Sequence, residues 1–260
     1  MGIPHLYIQG EGQPLIWLHG MLNSVESDSV YSLIDFESLQ DQLSIVRYNY
    51  CDKSVDGDYS WPGLTNELIS VLDAQKHEKI LMGGLSMGAG TAIQAAVQYS
   101  ERVKGLILVT PPPAWEMREK VKAVYRKVIS TTNSKAVPEL LKRIIQLNQN
   151  PPEYFEKNHP GTRQQLLEHR LSFEPKYYTQ IYLGGANSDF PSREQISLIN
   201  VPTLIIAHAD DPNHPLETAQ ELNKLIKGSE LTVISNYEDY QNLQNKVRHF
   251  ILKHGFDNKS

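Results

Sequence analysis

Short apolar runs alternate with helical patterns over most of the chain, and each run has the length of a buried strand. The runs lie at Leu15–Leu18, Leu43–Tyr48, Lys79–Gly83, Val103–Thr110, Val201–Ile206 and Leu231–Ile234. Apolar residues with helical spacing separate or follow them, at Thr65–Gln75, Met87–Tyr99, Glu217–Ile226 and Gln241–His254. This alternation is typical of a mainly parallel central sheet with helices on both faces. The pattern therefore predicts an α/β fold.

The alternation breaks between about Ala114 and Leu198, where helical patterns and loops occur without a convincing buried strand. Two apolar stripes stand out, formed by Val121, Val124, Val128 and Ile129, and by Leu140, Leu141, Ile144, Ile145 and Leu147. We predict a core of residues 1–112 and 200–260 and a helical cap of residues 113–199. Basic residues alternate with the first stripe and predict a solvated helix face: Arg118, Lys120, Lys122, Arg126 and Lys127. The aromatic residues of this segment could line a pocket or form the core of the cap.

Composition narrows the class of protein. The 260 residues are 40% hydrophobic, and 25 basic residues stand against 30 acidic ones, for a formal charge of -5. This mild acidity argues against a nucleic-acid partner, which requires clustered basic charge. The single cysteine excludes an intramolecular disulfide, and the N-terminus lacks the pattern of a secretion signal. No apolar run approaches the length of a membrane span, so we predict a cytoplasmic protein without a membrane partner.

A nucleophile-elbow motif lies between a predicted strand and a predicted helix. The sequence Gly84-Leu85-Ser86-Met87-Gly88 has the Gly-x-Ser-x-Gly pattern, in which glycines allow a turn sharp enough to expose the serine hydroxyl. The following helix starts at this turn, and its unpaired N–H groups favour a developing oxyanion. An ordinary glycine-rich turn is the alternative, which the flanking strand and small-residue helix disfavour. We predict Ser86 as the nucleophile.

With these residues the chain resembles the α/β-hydrolase superfamily, in the branch of small capped hydrolases similar to 3-oxoadipate enol-lactonases and C–C-bond hydrolases. The resemblance covers Leu18–Met21, the elbow, and Asp211–Pro215. It implies an α/β-hydrolase fold with the cap inserted after the sixth strand. It also implies that the backbone N–H groups of Met21, next to Gly20, and of Met87 form the oxyanion hole. His19 is then a structural residue of the loop.

The resemblance also implies a position for the catalytic acid and shows that the family's catalytic histidine is replaced in this chain. Asp211, four residues before Pro215, matches the position of the family's acid, and Asp210 is the second choice. The family's histidine follows the last strand, but there this chain has Asp239, in the segment Ile234–Asp239. A carboxylate is too weak a base to replace imidazole well. The sequence therefore predicts an incomplete triad of Ser86, Asp211 and Asp239.

Three ways around the missing base are open. His214, three residues after Asp211, could turn towards Ser86 and act as an alternative base, although a packing role is favoured. Asp211 and Asp239 could face each other across Ser86 and share a proton. His208 and His214 could bind a metal together with Asp210 or Asp211. Since no further ligand cluster supports the third option, we predict no metal and no other cofactor.

Two classes of function follow. The favoured one is a serine hydrolase of a small-molecule ester, lactone or thioester. The alternative is a pseudoenzyme or ligand-binding protein that uses the capped pocket, or a biosynthetic catalyst that is not hydrolytic. The intact elbow favours the first and Asp239 favours the second. The oligomeric state is not determined by the sequence.

Overall fold

A computed structural model describes residues 3–132, 139, 143 and 151–257. Its centre is a seven-stranded sheet with the order β1-β3-β2-β4-β5-β6-β7. The strands are β1 Leu6–Gln9, β2 Gln13–Leu18, β3 Leu43–Tyr48, β4 Ile80–Leu85, β5 Val103–Val109, β6 Thr203–His208 and β7 Glu230–Ile234. All neighbours pair in parallel except β1, which is antiparallel to β3.

Helices cover both faces of this sheet. They are α1 Trp61–Ala74, α2 Met87–Gln98, α3 Arg118–Thr132, α4 Glu153–Asn158, α5 Thr162–Leu171, α6 Pro175–Ala186, α7 Arg193–Ser197, α8 Leu216–Leu225 and α9 Tyr237–Lys253. One apolar cluster packs α1, α2 and α8 on one face, and a second packs α9 on the other. Burial on both faces explains why the central strands are continuous apolar runs instead of alternating ones.

The predicted strands and helices are present, with shifted ends. Helix α1 begins at Trp61 and not at Thr65, because Ser60 caps it by accepting a hydrogen bond from the Gly63 N–H at 3.2 Å. Helix α9 begins at Tyr237 and not at Gln241, for a similar reason given below. Strand β1 was not predicted from the sequence, because its residues are only half-buried or exposed and form no buried apolar run.

In the described residues, the segment between β5 and β6 consists of helices and loops without a strand. It contains α3 to α7, and α3 packs along α6. It follows the fifth of the seven described strands, whereas the resemblance placed it after a sixth. The predicted stripe from Leu140 to Leu147 lies outside the described residues. Among the described helices, none is long and apolar enough to cross a membrane.

The topology brings three loops together at one edge of the sheet. Strands β2, β4 and β6 are parallel, and β5 alone separates β4 from β6. The carboxyl ends of parallel strands share one edge, which is where open α/β sheets bind ligands. The segments that follow Leu18, Leu85 and His208 therefore meet, and these carry the residues singled out in the sequence.

Candidate active site

Ser86 lies on a strained turn between β4 and α2. Its backbone has φ 52° and ψ -107°, in a region that residues other than glycine rarely adopt. A Cβ atom on Gly84 would lie 2.5 Å from the Gly88 carbonyl oxygen, and one on Gly88 would lie 2.0 Å from that of Leu18. Only glycine fits at either position. The predicted elbow geometry is thus present, and the Ser86 side chain is partly exposed.

The imidazole of His214 bridges Ser86 and Asp211. Its Nε2 lies 2.8 Å from Ser86 Oγ, and its Nδ1 lies 2.7 Å from Asp211 Oδ2. An ionised carboxylate can only accept, so Nδ1 carries the proton and Nε2 is free to accept the serine hydroxyl hydrogen. A serine, an imidazole and a carboxylate connected in this order form the arrangement that activates a nucleophilic hydroxyl.

The Asp211 carboxylate also shapes the loop that carries His214. Its Oδ1 accepts hydrogen bonds from the backbone N–H groups of Asn213, at 2.8 Å, and His214, at 3.3 Å. These bonds bend the chain so that the ring of His214 returns to the carboxylate of the same loop. Burial alone would raise the pKa of Asp211, but the His214 ring and the Asn213 N–H outweigh it, and the pKa is below its ordinary value.

Two sequence interpretations of this region need correction. His214 was expected to have a packing role, but its ring makes the two contacts above. Asp239 was predicted as part of an incomplete triad, with the option that it faces Asp211 across Ser86, but its carboxylate accepts a hydrogen bond from the Ser235 N–H at 2.8 Å. Its own N–H donates to Asn236 Oδ1 at 3.0 Å, so the two side chains cap the start of α9. Among the described residues, no hydrogen bond connects Asp239 to Ser86 or Asp211.

His208 and Asp210, the other two residues considered for a metal site, do not lie together with His214 and Asp211 as ligands. His208 is buried, and its Nδ1 lies 3.1 Å from the hydroxyl of Tyr154 in α4. Burial lowers the pKa of His208 to about 4, so its ring is neutral at pH 7. Asp210 is exposed. The described residues contain no group of three His, Cys, Asp or Glu side chains placed to hold a metal ion.

The predicted oxyanion donors lie beside Ser86. Met21 and Met87 line the same small cavity as Ser86. Met87 is the first residue of α2, so its backbone N–H has no acceptor within the helix. Met21 belongs to a turn that the Asn23 N–H closes on the Gly20 carbonyl at 3.1 Å. Both residues thus border the same cavity as Ser86, and their role as oxyanion donors stays a prediction.

His19 supports this turn from below. It is 2% exposed, and its Nδ1 donates to the Gly20 carbonyl at 2.9 Å while its Nε2 accepts from the Tyr50 N–H at 3.4 Å. Burial lowers the pKa of His19 to about 4, so the ring stays neutral. These contacts agree with the structural role expected for His19.

The cavity beside Ser86 is small, and residues from the segment between β5 and β6 form part of its wall. Its volume is about 20 Å³, which is room for roughly one water molecule. Besides the three residues above, it is lined by Tyr59, Trp61, Pro112, Arg118, Tyr125, Gly185 and Ser188. Ligand pockets usually measure roughly 300–1,000 Å³, so a substrate needs more room than this cavity provides.

Helix α3 differs from its sequence prediction. Arg118 and Lys122 were assigned to a solvated face but are 3% and 6% exposed, whereas Val124, assigned to the apolar stripe, is 58% exposed. The buried face of α3 passes through Arg118, Lys122 and Tyr125, which have the spacing of one helix face. Of the cap aromatic residues, Tyr125 lines the cavity, and the following lie in the packed interior: Tyr177, Tyr178 and Tyr182.

A family model described as alpha/beta hydrolase fold matches residues 64–246. The chain belongs to the α/β-hydrolase fold family. This confirms the predicted fold class and the family resemblance. Among the curated relatives of this α/β-hydrolase is AB hydrolase superfamily protein YisY of Bacillus subtilis, 27% identical over 93% of this chain and 92% of that protein.

Two further likenesses bear on the predicted branch of the family. A 2-hydroxymuconate semialdehyde hydrolase of Pseudomonas sp. strain CF600 is 21% identical over 94% of this chain and 86% of that protein. The crystal structure of an enol-lactonase from Burkholderia xenovorans LB400 superposes with a TM-score of 0.77 and 16% identity, covering 97% of this chain and 95% of that one. Hydrolases of both predicted kinds are thus among the proteins similar to this α/β-hydrolase.

Several residues that surround Ser86 were not identified from the sequence. The signal for Arg118 was present as its spacing with Lys122 and Tyr125, but the basic composition of that helix concealed it. Trp61 and Ser188 carry no motif, and they reach the cavity only because α1 and the end of α6 meet there. The Trp61 Nε1 donates to the Met87 carbonyl at 3.0 Å, which ties α1 to the elbow.

Proposed function

We propose that this α/β-hydrolase is a serine hydrolase of a small ester, lactone or thioester, with Ser86 as nucleophile, His214 as base and Asp211 as acid. The observation that carries the proposal is the bridge of His214 between Ser86 Oγ and the Asp211 carboxylate, at 2.8 and 2.7 Å. Both distances lie within hydrogen-bond reach, which is the first requirement for a general base.

The acylation step follows from this geometry. His214 Nε2 takes the hydroxyl proton as Ser86 Oγ attacks the carbonyl carbon, and the carbonyl oxygen becomes an oxyanion held by the N–H groups of Met21 and Met87. The imidazolium is stabilised by the Asp211 carboxylate. When the bond to the leaving group breaks, His214 returns the proton to the leaving oxygen or sulfur, and Ser86 is left as an acyl ester.

Deacylation uses the same groups in reverse. A water molecule takes the place of the leaving group, His214 accepts one of its protons, and the hydroxide attacks the acyl ester. The bond between the acyl carbon and Ser86 Oγ then breaks, and His214 protonates Ser86. The products are a free acid and the alcohol or thiol, which form a single hydroxy acid when the substrate is a lactone, so the cycle consumes one water and needs no cofactor.

Reaction with a fluorophosphonate probe tests the proposal. The probe reacts with activated serine hydroxyls, so we expect labelling of the folded wild type and none of Ser86→Ala. Heat-denatured wild type serves as the control for unspecific labelling. Absence of labelling in the folded wild type, verified by circular dichroism, would contradict the serine-hydrolase proposal.

A further inference from the structure

Arg118 places a buried positive charge in the wall of the cavity that holds Ser86. The side chain is 3% exposed, and its guanidinium carbon lies 4.6 Å from the centre of the Trp61 ring. Nε donates to the Ser188 carbonyl at 2.9 Å, and Nη2 donates to the Gly185 carbonyl. The Tyr125 side chain is a further hydrogen-bond partner of Arg118. A guanidinium has five N–H donors, so these three partners leave donors for another group.

No described carboxylate forms an ion pair with this guanidinium. Burial, the largest influence, lowers the pKa of Arg118, whereas Tyr125 and then the charges of Asp189 and Glu119 raise it. Both acids instead contact Lys122, one helical turn further along α3. A buried charge that is only partly compensated is costly, and a ligand that pairs with it directly regains part of that cost.

The position of His214 indicates which part of the substrate, the acyl group or the leaving group, faces Arg118. Under the proposed mechanism, His214 protonates the leaving group, so the leaving group lies on the His214 side of Ser86. Of the described residues, those lining the cavity include Ser86, Met87 and Arg118 but not His214. We therefore assign the acyl group, and not the leaving group, to this cavity.

From these observations we propose that Arg118 is a specificity-determining residue that binds a carboxylate at the far end of the acyl group. The substrate class is then an ester, thioester or lactone whose acyl chain ends in a carboxylate. This inference rests on the proposed serine-hydrolase function. Guanidinium and carboxylate groups match each other in two parallel hydrogen bonds, which gives the site its preference over a neutral chain end.

Two esters of equal chain length test the inference. 4-Nitrophenyl hydrogen adipate ends in a carboxylate and 4-nitrophenyl hexanoate ends in a methyl group. We expect the ratio of kcat/KM, adipate over hexanoate, to exceed one in the wild type and to fall by about ten- to hundredfold in Arg118→Gln. Lys122→Gln is the matched control because it removes a charge from the same helix that is already paired, and it should keep the wild-type ratio.

The outcomes separate the two proposals. A wild type that prefers the hexanoate ester, or a ratio that Arg118→Gln leaves unchanged, overturns the carboxylate site while leaving the hydrolase intact. An equal fall of kcat/KM for both esters would mean that Arg118 only supports the end of α6, and it would also overturn the carboxylate site. If Arg118→Gln does not fold, Arg118→Lys replaces it as the test, because lysine keeps the charge but lacks the two parallel N–H donors of the guanidinium. The kcat/KM ratio should then fall to an intermediate value, and an unchanged ratio again counts against the carboxylate site. If neither ester is hydrolysed and Ser86 is not labelled, the proposed function itself has failed.

Discussion

Replacing His214 by alanine gives the sharpest test of which residue serves Ser86 as a base. In the described chain, the His214 ring is the side chain hydrogen-bonded to Ser86 Oγ, so its loss leaves the hydroxyl without a proton acceptor. Removing the base from a comparable triad lowers kcat by a factor on the order of 10⁴ to 10⁶. At about 1.4 kcal/mol per tenfold change, this is roughly 5.5–8 kcal/mol of transition-state stabilisation.

Asp239→Ala is the matched variant, since Asp239 occupies the position where the resemblance expects the base. Its carboxylate caps the start of α9, so we expect a loss of about 1 kcal/mol in the free energy of unfolding and an unchanged kcat. The assay is steady-state hydrolysis of a chromogenic short-chain ester by wild type, His214→Ala and Asp239→Ala, with urea denaturation of each. A large fall of kcat in Asp239→Ala, or a fall of less than about tenfold in His214→Ala, would refute the assignment of the base.

Three further predictions concern the acid, a buried carboxyl and the elbow. Asp211→Asn should lower kcat by a factor on the order of 10⁴, because the amide no longer holds the His214 ring in the required tautomer; the same ester assay measures it, and a normal kcat would exclude Asp211 as the acid. Burial, opposed by Arg47, raises the pKa of Asp28 from 3.8 to about 7. The folded state therefore binds the Asp28 proton more tightly than the unfolded state does, and the stability that the protonated carboxyl contributes below pH 4 is lost as the pH rises to about 7. Asp28→Asn should therefore gain up to roughly 4 kcal/mol over wild type at pH 8 and little at pH 4 in denaturant titrations. Equal denaturation curves of variant and wild type at both pH values would contradict this. Gly88→Ala should cost about 3 kcal/mol or more in the free energy of unfolding, seen as a lower urea midpoint, because its Cβ would meet a backbone oxygen; a wild-type midpoint would mean that the turn can relax.

The parts of the site that were predictable from the sequence are those specified by local geometry. The elbow requires glycine at two fixed positions and a strand and helix on either side, and each requirement is legible along the chain. The position of Asp211 was implied by the family resemblance, through the strand before it and Pro215 after it. Such features need no knowledge of which distant residues meet.

The contacts of His214 were not predictable in the same way. Its spacing from Asp211 is compatible with many loop shapes, and the hydrogen bonds from the Asn213 and His214 N–H groups to the carboxylate select the shape that returns the ring to Ser86. The burial of Arg118 depends similarly on how α3 packs on α6. Hydrophobic periodicity favoured the face that contains Val124, which is exposed.

The short loop Asp211–His214 also affects how motion elsewhere in the molecule reaches the site. When two catalytic groups come from loops far apart in the chain, any loosening of the element that carries one of them separates the pair. Here four consecutive residues hold the proposed acid and base together, and α9 supplies neither. Fraying of the last helix at elevated temperature can therefore proceed without misaligning the pair, so the chemistry is insulated from the thermal motion of the chain terminus.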